Sequence, residues 1–206
     1  PVVSSAASDV YKRQLYGLLL PSGNDMSVAL AEHFGKRFVT SEQLENVDES
    51  DPVQSFVMAM NQEAKRLGMD LTTYTNPHGL SEKDHLSTAA DLAKLAFTAL
   101  GNPMFSDYVS TRERGVVVRG SSGYERNVIW KNTNQLLAIQ GYEGIKTGTT
   151  SKAGACLASV CFREDRRLLL VVLGSSSSSS RYTDSRNLYR WAWLNLMGVN
   201  DEMGDH

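Results

Sequence analysis

The chain has 206 residues, 41% of them hydrophobic and 21% charged, and its net charge is −2. That composition supplies the core of one domain or most of one, and its near-neutral balance offers no electrostatic footprint for nucleic acid. No apolar run approaches the roughly 20 residues that a membrane-crossing helix needs, and the longest, 168–173, reads as a buried strand.

Residues 1–14 show no periodicity that fits the rest of the chain and none of the charged-apolar-small order of a signal peptide. The run from Ser4 to Gln14 resembles a translated sequencing adapter. Residues 1–14 are therefore set aside as a non-native leader, residue 15 is taken as the first native position, and the native sequence is expected to be cut at its front. Residues 15–20 are apolar and end at Pro21. Ser22-Gly23-Asn24 comes next as a tight loop, with Asn24 or Asp25 able to cap a helix over 26–38. That helix carries Met26, Ala29, Leu30, Phe34 and Phe38 on one stripe. Residues 40–50 read as an acidic surface loop.

Asp51 as N-cap and Pro52 in the first turn start a second helix, whose apolar face is Val53, Phe56, Val57, Met60, Ala64 and Leu67 and which Gly68 stops. Residues 71–76 suit a short extended piece, and Asn76-Pro77-His78-Gly79-Leu80 a turn. Ser87 or Thr88 caps a third helix, Thr88 with Asp91 in a variant of the capping box, burying Leu92, Leu95, Ala96 and Ala99. Gly101-Asn102-Pro103 ends it, and 104–109 adds a turn or two. Residues 115–118 and 127–130 form a hairpin about Gly120-Ser121-Ser122-Gly123, and 133–138 make a short helix at best. Three strands come after it, at 144–149, 155–163 and 167–174, the last two joined through Glu164-Asp165-Arg166. The serines at 175–180 read as a flexible loop. A final helix over 182–197 turns Leu188, Trp191, Ala192 and Leu196 inward, and the acidic residues 198–206 form a frayed tail. The expected fold is a mixed α/β (α+β) domain with helices packed on an antiparallel sheet.

Cys156 and Cys161 fall on one strand at odd spacing, hence on opposite faces, which excludes a mutual disulfide and a shared metal site and leaves two buried thiols. His33, His85 and His206 show no metal-binding spacing, and no cofactor is implied. His78 is read as a turn residue rather than a catalytic one.

The chemistry concentrates in two triplets. Lys146-Thr147-Gly148 lies on a strand, where it offers a point charge, a hydroxyl and room for a ligand backbone. Ser22-Gly23-Asn24 lies far upstream. Around them stand Leu20-Pro21-Ser22-Gly23-Asn24-Asp25, Met60-Asn61, Leu67-Gly68-Met69, Asn76-Pro77-His78-Gly79-Leu80, Ser87-Thr88-Ala89-Ala90-Asp91 and Gly144-Ile145-Lys146-Thr147-Gly148-Thr149-Thr150. Arg181 and Asp184 also fit, placed before the last helix. In this order the set resembles the penicillin-recognising serine hydrolases, and within them the D-alanyl-D-alanine carboxypeptidases, or low-molecular-mass penicillin-binding proteins, over nearly all of 15–197.

The resemblance implies a DD-peptidase fold and acyl transfer on peptidoglycan stem peptides, the pentapeptide ending in D-Ala-D-Ala, with β-lactams as inhibitors. It implies that Ser22 relays a proton toward the leaving amine, Asn24 holds the substrate amide, and Lys146 supplies positive potential and tunes Ser22. Thr147 and Thr149 would bind the terminal carboxylate, Gly148 would give the ligand room, the Thr149 N–H would form half of an oxyanion hole, and Arg181 would add charge near the carboxylate. It also implies an exported protein on the outer side of the cytoplasmic membrane, with any membrane anchor in a tail not present here. The family's third motif, Ser-x-x-Lys, which carries the acylated serine, is absent from the 206 residues. The segment as written is expected to be a partial catalytic domain, inactive by itself.

Three other functions compete with this one. A serine β-lactamase would need a deacylating glutamate in a Glu-x-x-Leu-Asn pattern, and Glu42-Gln43-Leu44-Glu45-Asn46 has the wrong spacing. A P-loop needs its lysine after a glycine, whereas Lys146 precedes Gly148. An inactive wall-binding module remains as the non-enzymatic alternative.

Overall fold

The computed structural model describes residues 5–38, 51–120 and 122–196. The predicted acidic loop, the β-lactamase-like Glu42–Asn46 stretch, Ser121 and the acidic tail lie outside them. Five helices come first: α1 (Ser5–Leu19), α2 (Asn24–Phe38), α3 (Pro52–Arg66), α4 (Ala89–Leu100) and α5 (Pro103–Ser110). The hairpin β1 (Glu113–Arg119) and β2 (Glu125–Lys131) is next, then a 3-10 turn over Gln135–Ala138, then β3 (Tyr142–Thr150), β4 (Gly154–Arg163), β5 (Arg166–Ser175) and α6 (Ser178–Leu196). The expected mixture of helices and antiparallel sheet is the one observed. Helix α1 crosses the boundary drawn at residue 15.

Local signals set most of the helix ends. The Asp51 carboxylate accepts from the N–H groups of Val53 and Gln54, with Pro52 at the first helical position of α3. At the other end Gly68, at φ 67°, lets its N–H reach Lys65 O while Met69 N–H reaches Ala64 O, a Schellman stop. Thr88 accepts from Asp91 N–H to cap α4, and Asn102 accepts from Met104 N–H to cap α5. Helix α2 buries Leu30 of the expected stripe together with Ser27 and Ala31, while Met26, Ala29 and Phe34 are only half-buried. It crosses α3 closely: a Cβ at Gly35 would lie 1.8 Å from Pro52 O.

The sheet runs β3-β4-β5, antiparallel throughout. Glu164 and Asp165, at φ 51° and 59°, make the two-residue turn from β4 to β5 with the backbone sign that suits strand twist. Helices α4 and α5 cover one face, where Ala96, Val109, Ile145 and Val160 form a core with Leu100, Phe105, Ala158 and Leu169 against it. Helix α6 covers the other, packing Tyr182 on Leu136 and Leu157, and Tyr189 and Trp193 on Cys161, Leu168 and Leu170. The cysteines obey the period-2 rule: both are free, with Cys161 buried beneath α6 and Cys156 only half-buried at the opposite cleft.

Three expectations are corrected. The serine run is a junction rather than a flexible loop: Ser175 ends β5, and Ser177 Oγ accepts from Ser180 N–H as α6 begins. Arg181 and Asp184 therefore lie inside α6. The inward face of α6 is Arg181, Tyr182, Ser185, Tyr189 and Trp193, whereas Leu188, Trp191 and Leu196 are exposed. The aromatic hydroxyls decide this, because Tyr189 meets Ser159 at 3.0 Å and Tyr182 donates to Thr133 O at 2.8 Å, so both rings bury with their polar tips satisfied. Finally, the short extended piece expected at 71–76 is reduced to a single bridge from Thr73 to Leu86.

Candidate active site

A cleft of about 720 Å³ opens between β3 and the inner face of α4, with the end of α1 and the start of α2 at its rim. Its polar end holds Ser22, Asn24 and the β3 residues Lys146 to Thr150, and its apolar floor includes Leu92, Leu95, Phe105, Val171 and Leu173. Ser22 sits between α1 and α2 at φ 62°, in the left-handed region, a conformation that non-glycine residues adopt mainly where their surroundings impose it. Gly23 N–H donates to Gly17 O, tying the loop back onto α1.

Lys146 crosses the cleft. Its Nζ donates to Ser22 Oγ at 2.6 Å and to Thr147 O at 2.8 Å. Burial disfavours its charged form, the Arg181 guanidinium adds repulsion, and together they lower its pKa to about 8. A lysine so tuned holds its proton at neutral pH yet releases it within reach of mild base.

The next residues are held from beneath. Thr147 Oγ1 lies 2.6 Å from Thr133 Oγ1, and Thr133 is fixed in turn by its N–H to Leu20 O and by Tyr182. Nothing lies within 4 Å of where a Cβ on Gly148 would stand, so the strand is open there. Arg181, 6% exposed, uses Nη1 toward Thr149 Oγ1 (3.0 Å), Gly148 O (3.1 Å) and Cys156 O (3.2 Å), with its guanidinium 5.0 Å from the Tyr182 ring. Among the described residues no carboxylate pairs with it, and its Nε has no partner. A buried cation that meets only carbonyls, a hydroxyl and a ring lacks a counter-charge. At the far end of β3, Thr150 Oγ1 meets Ser81 Oγ at 2.6 Å, which joins the loop after Asn76 to the strand.

All seven residues singled out in the sequence, Ser22, Asn24, Lys146, Thr147, Gly148, Thr149 and Arg181, thus meet on or directly behind one cleft. His78 also lines it, with its Nδ1 accepting from Leu80 N–H and the turn closed by Asn76 Oδ1 on Gly79 N–H, so its visible work is in the turn. Sequence reasoning does not find Thr133. A threonine between two asparagines after a strand carries no local signal, and only its contact with Thr147 reveals it. No group of three or more histidine, cysteine or acidic side chains among the described residues is placed to hold a metal.

An antiparallel sheet clasped between helices, with a serine and a lysine facing each other across a cleft, defines the class as a DD-peptidase fold of the β-lactamase type. A sequence model of the D-alanyl-D-alanine carboxypeptidase family, peptidase S11, matches residues 45–177, and the chain belongs to that family. It is 31% identical over 184 residues to a D-alanyl-D-alanine carboxypeptidase of Streptomyces sp. (strain K15), covering 88% of this chain and 60% of that one. Its likeness to DacF, a D-alanyl-D-alanine carboxypeptidase of Bacillus subtilis, is 33% over 171 residues, covering 82% of this chain and 39% of DacF. The crystal structure of the Streptomyces K15 DD-transpeptidase superposes with a TM-score of 0.79 at 31% identity, covering 89% of this chain and 67% of that one. The chain therefore spans from about two-fifths to three-fifths of these curated relatives.

Proposed function

We propose that these residues form the anchoring and proton-relay wall of a serine-type D-Ala-D-Ala carboxypeptidase acting on peptidoglycan stem peptides. The observation that carries this reading is the 2.6 Å bond from Lys146 Nζ to Ser22 Oγ, closed across 124 residues of sequence. In an acyl transfer the serine nucleophile adds to the penultimate carbonyl, the C–N bond to the last D-alanine breaks, and its amine leaves with a proton. Ser22 is the hydroxyl placed to pass that proton, and Lys146 holds it in position. The Thr147 and Thr149 hydroxyls receive the substrate's terminal carboxylate, and Arg181 behind Thr149 supplies the charge that this carboxylate completes. Gly148 leaves room for the peptide backbone, Asn24 holds its amide, and the Thr149 N–H serves as half of the oxyanion hole.

The nucleophile itself belongs to a Ser-x-x-Lys pair, which the 206 residues do not contain. The reading therefore assigns residues 15–197 to part of the catalytic domain, treats 1–14 as foreign to it, and makes the isolated chain inactive. Activity on peptidoglycan would place the enzyme outside the cytoplasmic membrane, and no described helix is long and apolar enough to cross one.

Fluorescent penicillin is the direct probe. The 206-residue chain alone should leave no labelled band on a denaturing gel. The same chain completed with a relative's Ser-x-x-Lys segment should label, and Lys146→Ala in that protein should remove most of the signal. A labelled band from the 206 residues alone, or full labelling after Lys146→Ala, overturns the assignment of roles. Rapid nitrocefin turnover by the completed protein would instead favour a β-lactamase.

A further inference from the structure

We propose that a second cleft, at the foot of the β1–β2 hairpin, binds a carboxylate of an acidic polymer beside the catalytic cleft. The hairpin departs from the charge of the molecule around it: residues 112–131 hold five basic side chains and two acidic ones in a chain whose net charge is −2. At its foot, where Asn132 N–H closes onto Arg112 O, lies a cleft of about 540 Å³ whose charged lining is Arg112, Glu113 and Lys131, with Asn134, Gln135 and the apolar Leu137 and Ala138 beside them. Neither Arg112 nor Lys131 takes part in an ion pair among the described residues, although Glu113 stands opposite Lys131 in the strand register.

The lining indicates what fits. Two cations against one carboxylate leave a single positive charge, which suits a monoanionic carboxylate better than a phosphate dianion. Gln135 and Asn134 add amides to the lining, whereas the Asn132 amide is spent on Val109 O, Thr111 O and Asn134 N–H. Asn134, 2% exposed, accepts at Oδ1 from Leu136 N–H, and its Nδ2 is a buried donor for which the described residues provide no acceptor. Position supplies the purpose. Thr133, between Asn132 and Asn134, touches Thr147 of the substrate strand, so this segment has the catalytic cleft on one side and the basic cleft on the other. A polymer with one carboxylate on Thr147 and Thr149 could place another here. That purpose rests on the wall-peptide reading, whereas the binding itself does not.

Binding of poly-L-glutamate, as a carboxylate polymer, and of inorganic polyphosphate to the 206-residue chain tests the inference by fluorescence anisotropy at low and high salt. The expected result is binding of polyglutamate that weakens with salt and weakens about tenfold in the double variant Arg112→Ala/Lys131→Ala, a drop of the size two exposed charge contacts supply. Arg163→Ala/Arg186→Ala, in a separate cleft between β4 and α6, should bind as the parent does. Equal affinity in the Arg112→Ala/Lys131→Ala variant, an equal loss in both double variants, or binding of polyphosphate without polyglutamate would overturn it. The measurement needs no catalysis, so a failure of penicillin labelling leaves its outcome standing, and the reverse holds too.

Discussion

Toward α6 the sheet presents Leu157, Ser159 and Cys161 to Tyr182, Tyr189 and Trp193, and all six are buried with the tyrosine hydroxyls bonded. Toward α4 the same strands present Ala158, Val171 and Leu173 to an open cleft, beside a lysine with a lowered pKa and a serine in a strained backbone conformation. One face is packed in the manner of a core, with Trp193 Nε1 left unpartnered among the described residues and a groove open along its edge beside Cys161 and Tyr189. The other keeps apolar surface and unspent polar groups in view of solvent, as binding sites do. Stability should therefore reside on the α6 face and function on the cleft face, and substitutions that separate the two measure how far the division holds.

The largest effect is expected at Trp193, 5% exposed among Cys161, Tyr189, Tyr142, Leu168 and Leu170. Trp193→Ala should cost about 3–5 kcal/mol in urea unfolding, the range for emptying a large buried aromatic site. A loss below about 1 kcal/mol would show that the α6 face is not the packed core described.

Lys146 tests the other side of the division. Its folded pKa, about 8, lies below its ordinary value of 10.5. Below pH 8 both folded and unfolded chains carry the proton, and burial of the charge opposes folding in full. Between pH 8 and 10.5 the unfolded chain binds more protons than the folded one, so stability rises with pH through that window. Relative to Lys146→Met, the parent should gain roughly 2 kcal/mol from about pH 7.5 to 10.5, the full shift being discounted for solvent at the cleft mouth. If the cleft takes a D-Ala-D-Ala peptide as proposed, its affinity should fall with a midpoint near the same pKa, because the positive potential of Lys146 is lost. A flat stability difference across that window would show that Lys146 is not desolvated in the folded chain.

Much of the helical scaffold was legible because its determinants are local. Asp51-Pro52, Gly68 and Thr88 act on backbone groups two or three residues away, and the structure uses each as its position suggests. The Asp91 carboxylate, expected to close a capping box with Thr88, instead accepts from Leu71 N–H and Thr72 Oγ1, 20 and 19 residues upstream. The triplets at Ser22 and Lys146 were legible by resemblance, but their meeting across the cleft is a property of the fold. The face of α6 was not legible. The helix has apolar residues on more than one side, and Ser159 and Thr133, which satisfy Tyr189 and Tyr182, lie 30 and 49 residues away. The serine run failed for a different reason: low-complexity composition suggested mobility, while the capping geometry at Ser177 depends on where β5 ends. Ser177→Ala should lower stability by about 1 kcal/mol in the same unfolding experiment, as loss of an N-cap does. No change would return 176–180 to the flexible reading.

The smallest change in stability is expected at Leu173, which projects into the cleft and is 39% exposed. Leu173→Ala removes apolar surface that is already largely in water, so neither a full transfer term nor a cavity results, and the loss should stay below about 1 kcal/mol. The same substitution reduces the apolar area that the isolated chain offers to other molecules, so it should also lower light scattering on concentration. Set beside Trp193→Ala it holds the method constant and changes only the face of the sheet. If Leu173→Ala costs as much as Trp193→Ala, the cleft is closed in solution by some other part of the chain, and the contrast between the two faces disappears.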